Sequence, residues 1–120
     1  MREIHFYRTK SGDCPVEEFL DALGGKQAQK VVWVLRLVEQ LDPVPAQYFK
    51  KLVDTNGLWE IRAQHGGDIF GLIGFFVESR FWVLSGFVKK AEKTPRQELD
   101  VAEAHRKDYL SRRDKDERSD

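Results

Sequence analysis

Polar and apolar residues alternate at the start of the chain and then follow a helical spacing. Ile4 and Phe6 fall on one face of an alternating segment, which predicts a first strand. A first helix is predicted to begin at Pro15 and to end before Gly24, and a second helix to begin near Lys26. Apolar residues recur every three or four positions in the second helix and form one stripe. The stripe consists of Ala28, Val31, Val34, Leu35, Val38 and Leu41.

The second half of the chain returns to a period of two. Residues 58–63 alternate, and Glu60 and Arg62 share one face, which is unusual for a core face and natural for a wet, concave one. Two apolar, aromatic-rich runs follow, at residues 69–77 and 81–88. They predict a hairpin of well-buried strands.

One more helix follows the strands, and a charged tail follows the helix. Thr94 is a candidate N-cap and Pro95 suits the first helical position, so a helix is predicted from Pro95 to about Leu110. The last ten residues, 111–120, contain four basic and four acidic side chains and no apolar one. Because this tail has nothing to bury, we expect it to be disordered.

The order of the predicted elements, β-α-α-β-β-β-α, indicates an α+β fold. Three consecutive strands with short links predict an antiparallel meander, to which the first strand can add at an edge. The two N-terminal helices are then expected to pack on one face of the antiparallel sheet, in a two-layer arrangement with a further helix at the C-terminal end. Residues 1–110 are predicted to form a single domain.

Composition limits the class of protein without revealing its function. The chain has 120 residues, 41% of them hydrophobic and 33% charged, which excludes wholesale disorder and an integral membrane protein. The formal net charge is zero, so a globally basic nucleic-acid binder is excluded but a local basic patch is not. A single cysteine excludes a disulfide framework and a cysteine-based zinc cluster. With no apolar stretch typical of a signal peptide, a cytoplasmic location is the expectation.

A cluster of basic residues is the first candidate for chemistry. It lies where the last strand is predicted to give way to the last helix, and a helix N-terminus adds free N–H groups and a positive dipole end that favour phosphate. The cluster consists of Lys89, Lys90, Lys93 and Arg96, with only Glu92 against it. Lys50 and Lys51 form a second basic pair. The alternative, that these lysines are ordinary solvated surface, stays open.

Two residues of the last helix are candidates for proton transfer. His105 and Tyr109 are four positions apart, so they share a helix face and could act as proton acceptor and donor in RNA cleavage. The alternative is a surface histidine and a tyrosine that anchors the helix to the sheet. His5 and His65 lack the spacing of metal ligands, so no metal site is predicted.

From Gly57 onward the chain resembles the HigB-like, phage-derived branch of the RelE/ParE toxin superfamily. The family pattern is an L-x-E-[IL]-R strand, a hydrophobic hairpin, and the sequence G-F-x-K-K-x-x-K-T-P-x-x-E. The matching segments are residues 58–62, Phe75-Phe76, residues 84–90 and residues 93–98. The stretch from Gly86 to Glu98 is the most specific of them.

The resemblance implies a RelE-like fold and the toxin of a type II toxin–antitoxin system. Such toxins are endoribonucleases that cut messenger RNA, usually in the ribosomal decoding site, and so inhibit translation. They use basic and aromatic side chains and no metal or other cofactor. The implied partners are a helix-turn-helix (HigA/Xre-like) antitoxin, messenger RNA and the ribosome, and no membrane.

Roles for individual residues follow as expectations from this resemblance. The reacting or neighbouring phosphates are assigned to Arg62, Lys89 and Lys90. The RNA or ribosomal backbone is assigned to Lys50, Lys51, Lys93 and Arg96. Proton transfer is assigned to His105 or Tyr109.

The chain departs from the family pattern at one position. An arginine is usual in the hairpin strand, and Gly71 stands in its place. Three explanations stay open: Arg62 and the lysines suffice, the chain is attenuated, or the arginine was replaced to limit toxicity.

Two functions other than RNA cleavage are compatible with the resemblance. One is a ParE-like toxin that inhibits a protein target such as DNA gyrase without cutting nucleic acid, since one fold can carry several functions. The other is an attenuated binding module that only pairs with its antitoxin. Within the nuclease hypothesis, the zero net charge favours dependence on the ribosome, because binding of free RNA depends on many phosphate contacts.

Overall fold

A computed structural model describes residues 1–118, which form five strands and three helices. The elements are β1 (Glu3–Phe6), α1 (Pro15–Asp21), α2 (Gly25–Gln40), β2 (Phe49–Lys51), β3 (Trp59–His65), β4 (Asp68–Val77), β5 (Arg80–Lys89) and α3 (Arg96–Arg118). The mixed α+β class and the order of the predicted helices and strands are confirmed, with one strand added. Among the described residues no helix has the length and apolar content needed to cross a membrane.

Strand β2 is the element that the sequence pattern did not predict. It has three residues and pairs antiparallel with β3, where Phe49 lies opposite Ile61 and Lys50 opposite Glu60. Only Phe49 is buried, so the segment is too short and too polar for an alternating pattern to stand out. Its presence matters because it fixes the basic pair Lys50-Lys51 on the edge of the sheet.

The five strands form one sheet in the order β1-β5-β4-β3-β2. The antiparallel meander of β3, β4 and β5 is as predicted, and β1 adds at the edge next to β5. However, β1 runs parallel to β5, with Ile4 opposite Phe81, so the prediction of an antiparallel sheet is wrong at this edge. A long helical connection separates β1 from the meander, and such a connection permits either strand direction.

Helices cover both faces of the sheet, so the predicted two-layer arrangement is wrong and the molecule has three layers. On one face α1 and α2 pack against the sheet through Val16, Val31 and Val34, which meet Ile61 and Leu72. On the opposite face α3 packs against residues of β4 and β5. Strand β4 is apolar on both faces, which is the signature of a strand covered on both sides.

The thin apolar stripe of α3 is enough to close the second face. Ala102 is fully buried there, and Leu99 and Tyr109 pack beside it against Ile73 and Phe75. Both faces of the sheet therefore have a core, one wide beneath α1 and α2 and one narrower beneath α3.

Helix α3 is longer than predicted. It continues to Arg118 instead of ending near Leu110, and Ser119 and Asp120 lie outside the described residues, so the disorder expected of the tail stays a prediction. The extension is tied to the body through Arg112 and Arg113, and Arg113 forms a 3.5 Å ion pair with Glu78. The Arg112 guanidinium donates to the Asp108 carboxylate and to the Arg8 carbonyl, and Asp108 in turn accepts a 2.5 Å hydrogen bond from Tyr7.

Gly71 lies where another chain element comes too close for a side chain. A β-carbon at this position would lie 2.7 Å from the ring of Phe87 on β5 and 3.3 Å from Oε2 of Glu60. The space that an arginine side chain would need is therefore occupied by the Phe87 ring, which is itself buried against Ala102.

We expect Tyr7→Phe to lower the free energy of unfolding at neutral pH by about 1–3 kcal/mol, because a hydrogen bond to a charged carboxylate is lost. That bond lowers the pKa of Asp108, while burial and the same bond raise the pKa of Tyr7. The stabilisation by the charged Asp108 carboxylate is complete above the ordinary Asp pKa and is lost as pH falls through the lower pKa that Asp108 has in the folded protein. The phenol contribution is present below the ordinary Tyr pKa and disappears as pH rises through its folded value.

The difference between wild type and Tyr7→Phe should therefore be largest between these two limits, as measured by urea unfolding at acid, neutral and alkaline pH. Tyr109→Phe, which keeps the ring packed on Trp82, is the matched control. A Tyr7→Phe effect of constant size from acid to alkaline pH would contradict the coupling to Asp108.

We expect Gly71→Ala to lower the free energy of unfolding by about 1–3 kcal/mol, because the Phe87 ring must move to admit one β-carbon. Gly71→Arg should destabilise more strongly. Gly25→Ala is the control, since a β-carbon there meets nothing within 4 Å. Denaturant unfolding measures all three, and an unchanged midpoint for Gly71→Arg would show that Phe87 does not close this space.

Candidate functional site

A groove with three lysines on its wall lies at the β2 edge of the sheet. Lys50 and Lys51 come from β2 and Lys93 from the loop before α3, so two basic clusters far apart in sequence meet in space. The groove has a volume of about 350 Å³. Its other lining residues are Leu52, Val53, Thr55, Glu92, Thr94 and Leu99. We call this feature the basic groove.

Behind the groove lies a buried ion pair. Glu60 on β3 is fully buried and Lys89 at the end of β5 is 3% exposed, and 2.9 Å separates Lys89 Nζ from Glu60 Oε1. Nζ also donates to the carbonyl oxygen of Glu92 at 2.7 Å, and the Thr94 hydroxyl donates to Glu60 Oε2 at 2.5 Å. Two buried charges are thus paired with each other and hydrogen-bonded to the loop between β5 and α3, which satisfies their polar atoms.

This arrangement corrects two expectations. Lys89 was assigned to a phosphate, but its ammonium is enclosed by Glu60 and the Glu92 carbonyl and does not reach the surface. Thr94 was assigned to the N-cap of the last helix, but its hydroxyl is used by Glu60, and the first helical hydrogen bonds run to the carbonyl of Pro95. Both residues hold the loop against the sheet.

Arg62 is also engaged by a carboxylate. Its Nη2 donates to Glu92 Oε1 at 2.8 Å, and the Arg62 side chain is 24% exposed while that of Glu92 is 74% exposed. Glu92 itself lines the basic groove. Arg62 was expected to bind the reacting or a neighbouring phosphate; it does not itself line the basic groove and lies behind Glu92, whose carboxylate it holds.

The two remaining basic candidates lie on the outer surface. Lys90 is exposed, and Arg96 is exposed and forms an ion pair with Asp100 one turn along α3. Neither residue lines the basic groove, whereas Lys93 between them does. They flank the groove and are free of the buried network.

His105 and Tyr109 do not line the basic groove. The His105 ring stacks on Tyr7 at 4.7 Å, and its Nδ1 donates to the Leu84 carbonyl at 2.8 Å. Leu84 is the extra residue of a β-bulge in β5, so its carbonyl is available to a side chain. Tyr109 packs on Trp82 and Phe75. These contacts favour the alternative in which both residues anchor α3 to the sheet.

Glu60 and Glu92 are the functional candidates that sequence reasoning missed. The signal for Glu60 was a carboxylate on the same strand face as Arg62, and the signal for Glu92 was a single acidic residue among cations. Recognising their partners requires the register of β3, β4 and β5, since Glu60 and Lys89 lie on strands separated by β4. In the part of the chain that the structure describes, no three His, Cys, Asp or Glu side chains are grouped so that they could hold a metal ion.

Comparison with known proteins identifies a family. The family model of phage-derived Gp49-like proteins (DUF891) matches residues 18–107, a segment that contains the buried ion pair and every residue of the basic groove. The comparison with curated proteins gave no match. Because the matched segment covers three quarters of the chain, the protein belongs to the phage-derived Gp49-like family, a RelE/toxin-like family of toxin–antitoxin systems.

Proposed function

We propose that the protein is the toxin of a type II toxin–antitoxin system and that it cleaves messenger RNA on the translating ribosome. The observation that carries the proposal is the convergence of Lys50, Lys51 and Lys93 on one groove. Three ammonium groups in a concave site suit the negative charge of an RNA phosphate and of the transition state formed from it. Membership of a toxin-like family supports the same conclusion.

The proposed reaction is in-line attack by a ribose 2′-hydroxyl on the adjacent phosphorus. The bond from the 2′-oxygen to phosphorus forms while the bond from phosphorus to the leaving 5′-oxygen breaks. The 2′-proton passes to a base, and the 5′-oxygen takes a proton from an acid. The products are a 2′,3′-cyclic phosphate and a 5′-hydroxyl end.

Glu92 is our candidate for the base, because its exposed carboxylate lines the groove and is oriented by Arg62. The ammonium groups of Lys50 and Lys93 are candidates for stabilising the phosphorane and for protonating the leaving oxygen. Lys90 and Arg96, which flank the groove, are assigned to the more distant RNA or ribosomal backbone.

The buried pair of Glu60 and Lys89 is assigned a positioning role. It holds the loop that carries Glu92 and Lys93, and it does so from beneath, through the Glu92 carbonyl and the Thr94 hydroxyl. A base within hydrogen-bonding reach of its proton is the first geometric requirement of such catalysis, so this support matters for rate as well as for stability.

Dependence on the ribosome follows from the amount of positive charge available. The chain as a whole is neutral, and two of its candidate cations, Arg62 and Lys89, are already paired with carboxylates. Few phosphate contacts give weak binding of free RNA at physiological salt. The ribosome would supply the missing affinity by presenting the messenger in place, and a helix-turn-helix antitoxin remains the expected inhibitor.

A binding module without nuclease activity is the second candidate. Two observations favour it. Arg62 and Lys89 are each paired with a carboxylate. Gly71 replaces the arginine usual in the family, and the Phe87 ring fills the space beside it. The experiment below separates the two candidates.

We expect Lys50→Gln combined with Lys93→Gln to reduce cleavage roughly a hundredfold, because two groups that stabilise the transition state are lost. The measurement is mapping of RNA 5′ ends after induction in cells, repeated with purified protein and RNA with and without translating ribosomes. Lys10→Gln combined with Lys107→Gln, which removes two exposed lysines outside the groove, is the matched control.

Unchanged cuts in the Lys50/Lys93 variant would remove the basic groove as the site. Growth arrest by the wild type without new 5′ ends would favour a non-nucleolytic toxin, and absence of both effects would favour the binding module. Efficient cutting of RNA without ribosomes would contradict the ribosome dependence alone.

We expect Lys89→Ala to lower the free energy of unfolding by about 3–5 kcal/mol, because it leaves the Glu60 carboxylate buried without its partner. Lys90→Ala, one residue further on and exposed, should change it by less than about 0.5 kcal/mol. Denaturant unfolding of the two variants measures the difference. Equal stabilities would mean that Lys89 is not part of the support and is available to substrate.

A further inference from the structure

A second concave site lies beyond Arg62, on the side away from the basic groove. It is a cavity of about 250 Å³ between α2 and the edge of the sheet. Its lining residues are Lys30, Gln47, Tyr48, Arg62 and Gln64, so every side chain there is either cationic or neutral. We call it the Lys30–Arg62 cavity.

Local pairing of the backbone builds this cavity. The Arg62 N–H donates to the Tyr48 carbonyl at 2.9 Å, which extends the contact between β2 and β3 by one step and sets the two side chains at the same edge. Helix α2 passes over the same edge and supplies Lys30. The walls of the cavity therefore come from α2, from β3 and from the turn that precedes β2.

Arg62 has hydrogen-bonding capacity left after it has bound Glu92. Its Nε is buried, and among the described residues it has no hydrogen-bond partner. A buried donor without an acceptor is unfavourable, and an anion that reached it would remove that penalty. Lys30 on the opposite wall would add a second positive charge to the same anion.

Aromatic rings adjoin the cavity. Tyr48 lines it, and the Trp33 ring lies edge to face with Tyr48 at 5.9 Å, while the ammonium of Lys30 sits 4.2 Å from the Trp33 centroid. Trp33 is 46% exposed, which is high for a tryptophan. An unstacked base can pack on such rings, and the amide groups of Gln47 and Gln64 can hydrogen-bond base edges.

We propose that the Lys30–Arg62 cavity binds one unpaired nucleotide of the RNA next to the segment held in the basic groove. Its phosphate lies between Lys30 and Arg62, and its base packs on Tyr48 and Trp33. The ion pair of Arg62 with Glu92 joins the two sites, because Arg62 lines the cavity and Glu92 lines the groove. This inference rests on the proposed function, and it adds to it a subsite for one nucleotide of the single-stranded RNA.

The test uses a single-stranded 2′-O-methyl RNA octamer that the protein cannot cleave and that carries 4-thiouridine for photocrosslinking. Crosslinks mapped by mass spectrometry are expected at Tyr48 or Trp33. Lys30→Gln should weaken binding about five- to tenfold, the effect of losing one charge-assisted hydrogen bond. It should also reduce the slope of log affinity against log salt by about 0.7, the value for one phosphate on a single strand.

Lys26→Gln is the matched control, because Lys26 is an exposed lysine on the same helix one turn earlier and does not line the cavity. It should leave the affinity within twofold of wild type, a change of about 0.4 kcal/mol, and the salt slope unchanged. Thermal unfolding of the two variants shows whether Lys30→Gln acts on binding or on folding; loss of affinity that is matched by unfolding would overturn the assignment.

The outcomes separate this inference from the proposed function. Binding with crosslinks confined to the basic groove, and equal behaviour of Lys30→Gln and Lys26→Gln, would overturn the cavity while leaving the nuclease in place. Failure of the octamer to bind at low salt would also overturn it. Crosslinks at Tyr48 or Trp33 in a protein that produces no cuts in cells would keep the cavity as an RNA site and remove the nuclease. Displacement of the octamer only by an acidic peptide, with no crosslink, would assign the cavity to a protein partner.

Discussion

The carboxylate of Glu60 and the ammonium of Lys89 meet across an intervening strand with both groups removed from water. Glu60 lies opposite Ile73 and Lys89 opposite Ile69 on β4, and Gly71 is the residue between those two on the same face. A side chain at Gly71 would stand in the path of the pair. A glycine at position 71 therefore leaves room for the ion pair. The ion pair in turn positions the loop that follows β5, through the Glu92 carbonyl and the Thr94 hydroxyl.

That constraint explains how a neutral chain can present a basic groove. Buried charges are expensive unless they are paired and hydrogen-bonded, so Lys89 is matched by Glu60 and contributes support instead of surface charge. The lysines that do line the groove, Lys50, Lys51 and Lys93, come from β2 and from the supported loop. Arg62 occupies an intermediate position, bound to Glu92 on one side and open to the Lys30–Arg62 cavity on the other.

Much of the fold could be predicted from the pattern of residues, and the failures have physical causes. The stripe of α2 and the alternation of β3 are local signals, and both elements were predicted within a few residues. The three residues of β2 are too few to show a period, and the direction of β1 depends on a connection whose path no local pattern encodes. The length of α3 was underestimated because Arg112 is stabilised by Asp108 and by a carbonyl from the other end of the chain.

The sequence predicted the candidate site as a set of cationic residues, without the carboxylates that pair with two of them. Four cations were grouped because they are close in sequence: Lys89, Lys90, Lys93 and Arg96. They are distributed over the end of a strand, a loop and the start of a helix, and only Lys93 lines the groove. Charge alone does not say which lysine is buried. Lys89 is buried because the register of β3, β4 and β5 places Glu60 on the same face of the sheet, two strands away.

The parallel pairing of β1 with β5 gives the molecule a particular order of assembly. Residues 3–6 pair with residues 80–83, and Tyr7 donates a hydrogen bond to Asp108, which lies 25 positions beyond Val83. Contacts so distant in sequence are slow to form and close late in folding. During synthesis the N-terminal strand must therefore wait, unpaired, until β5 has emerged, so a nascent fragment that already contains Lys50 and Lys51 still lacks the loop and the α3 helix that complete the basic groove.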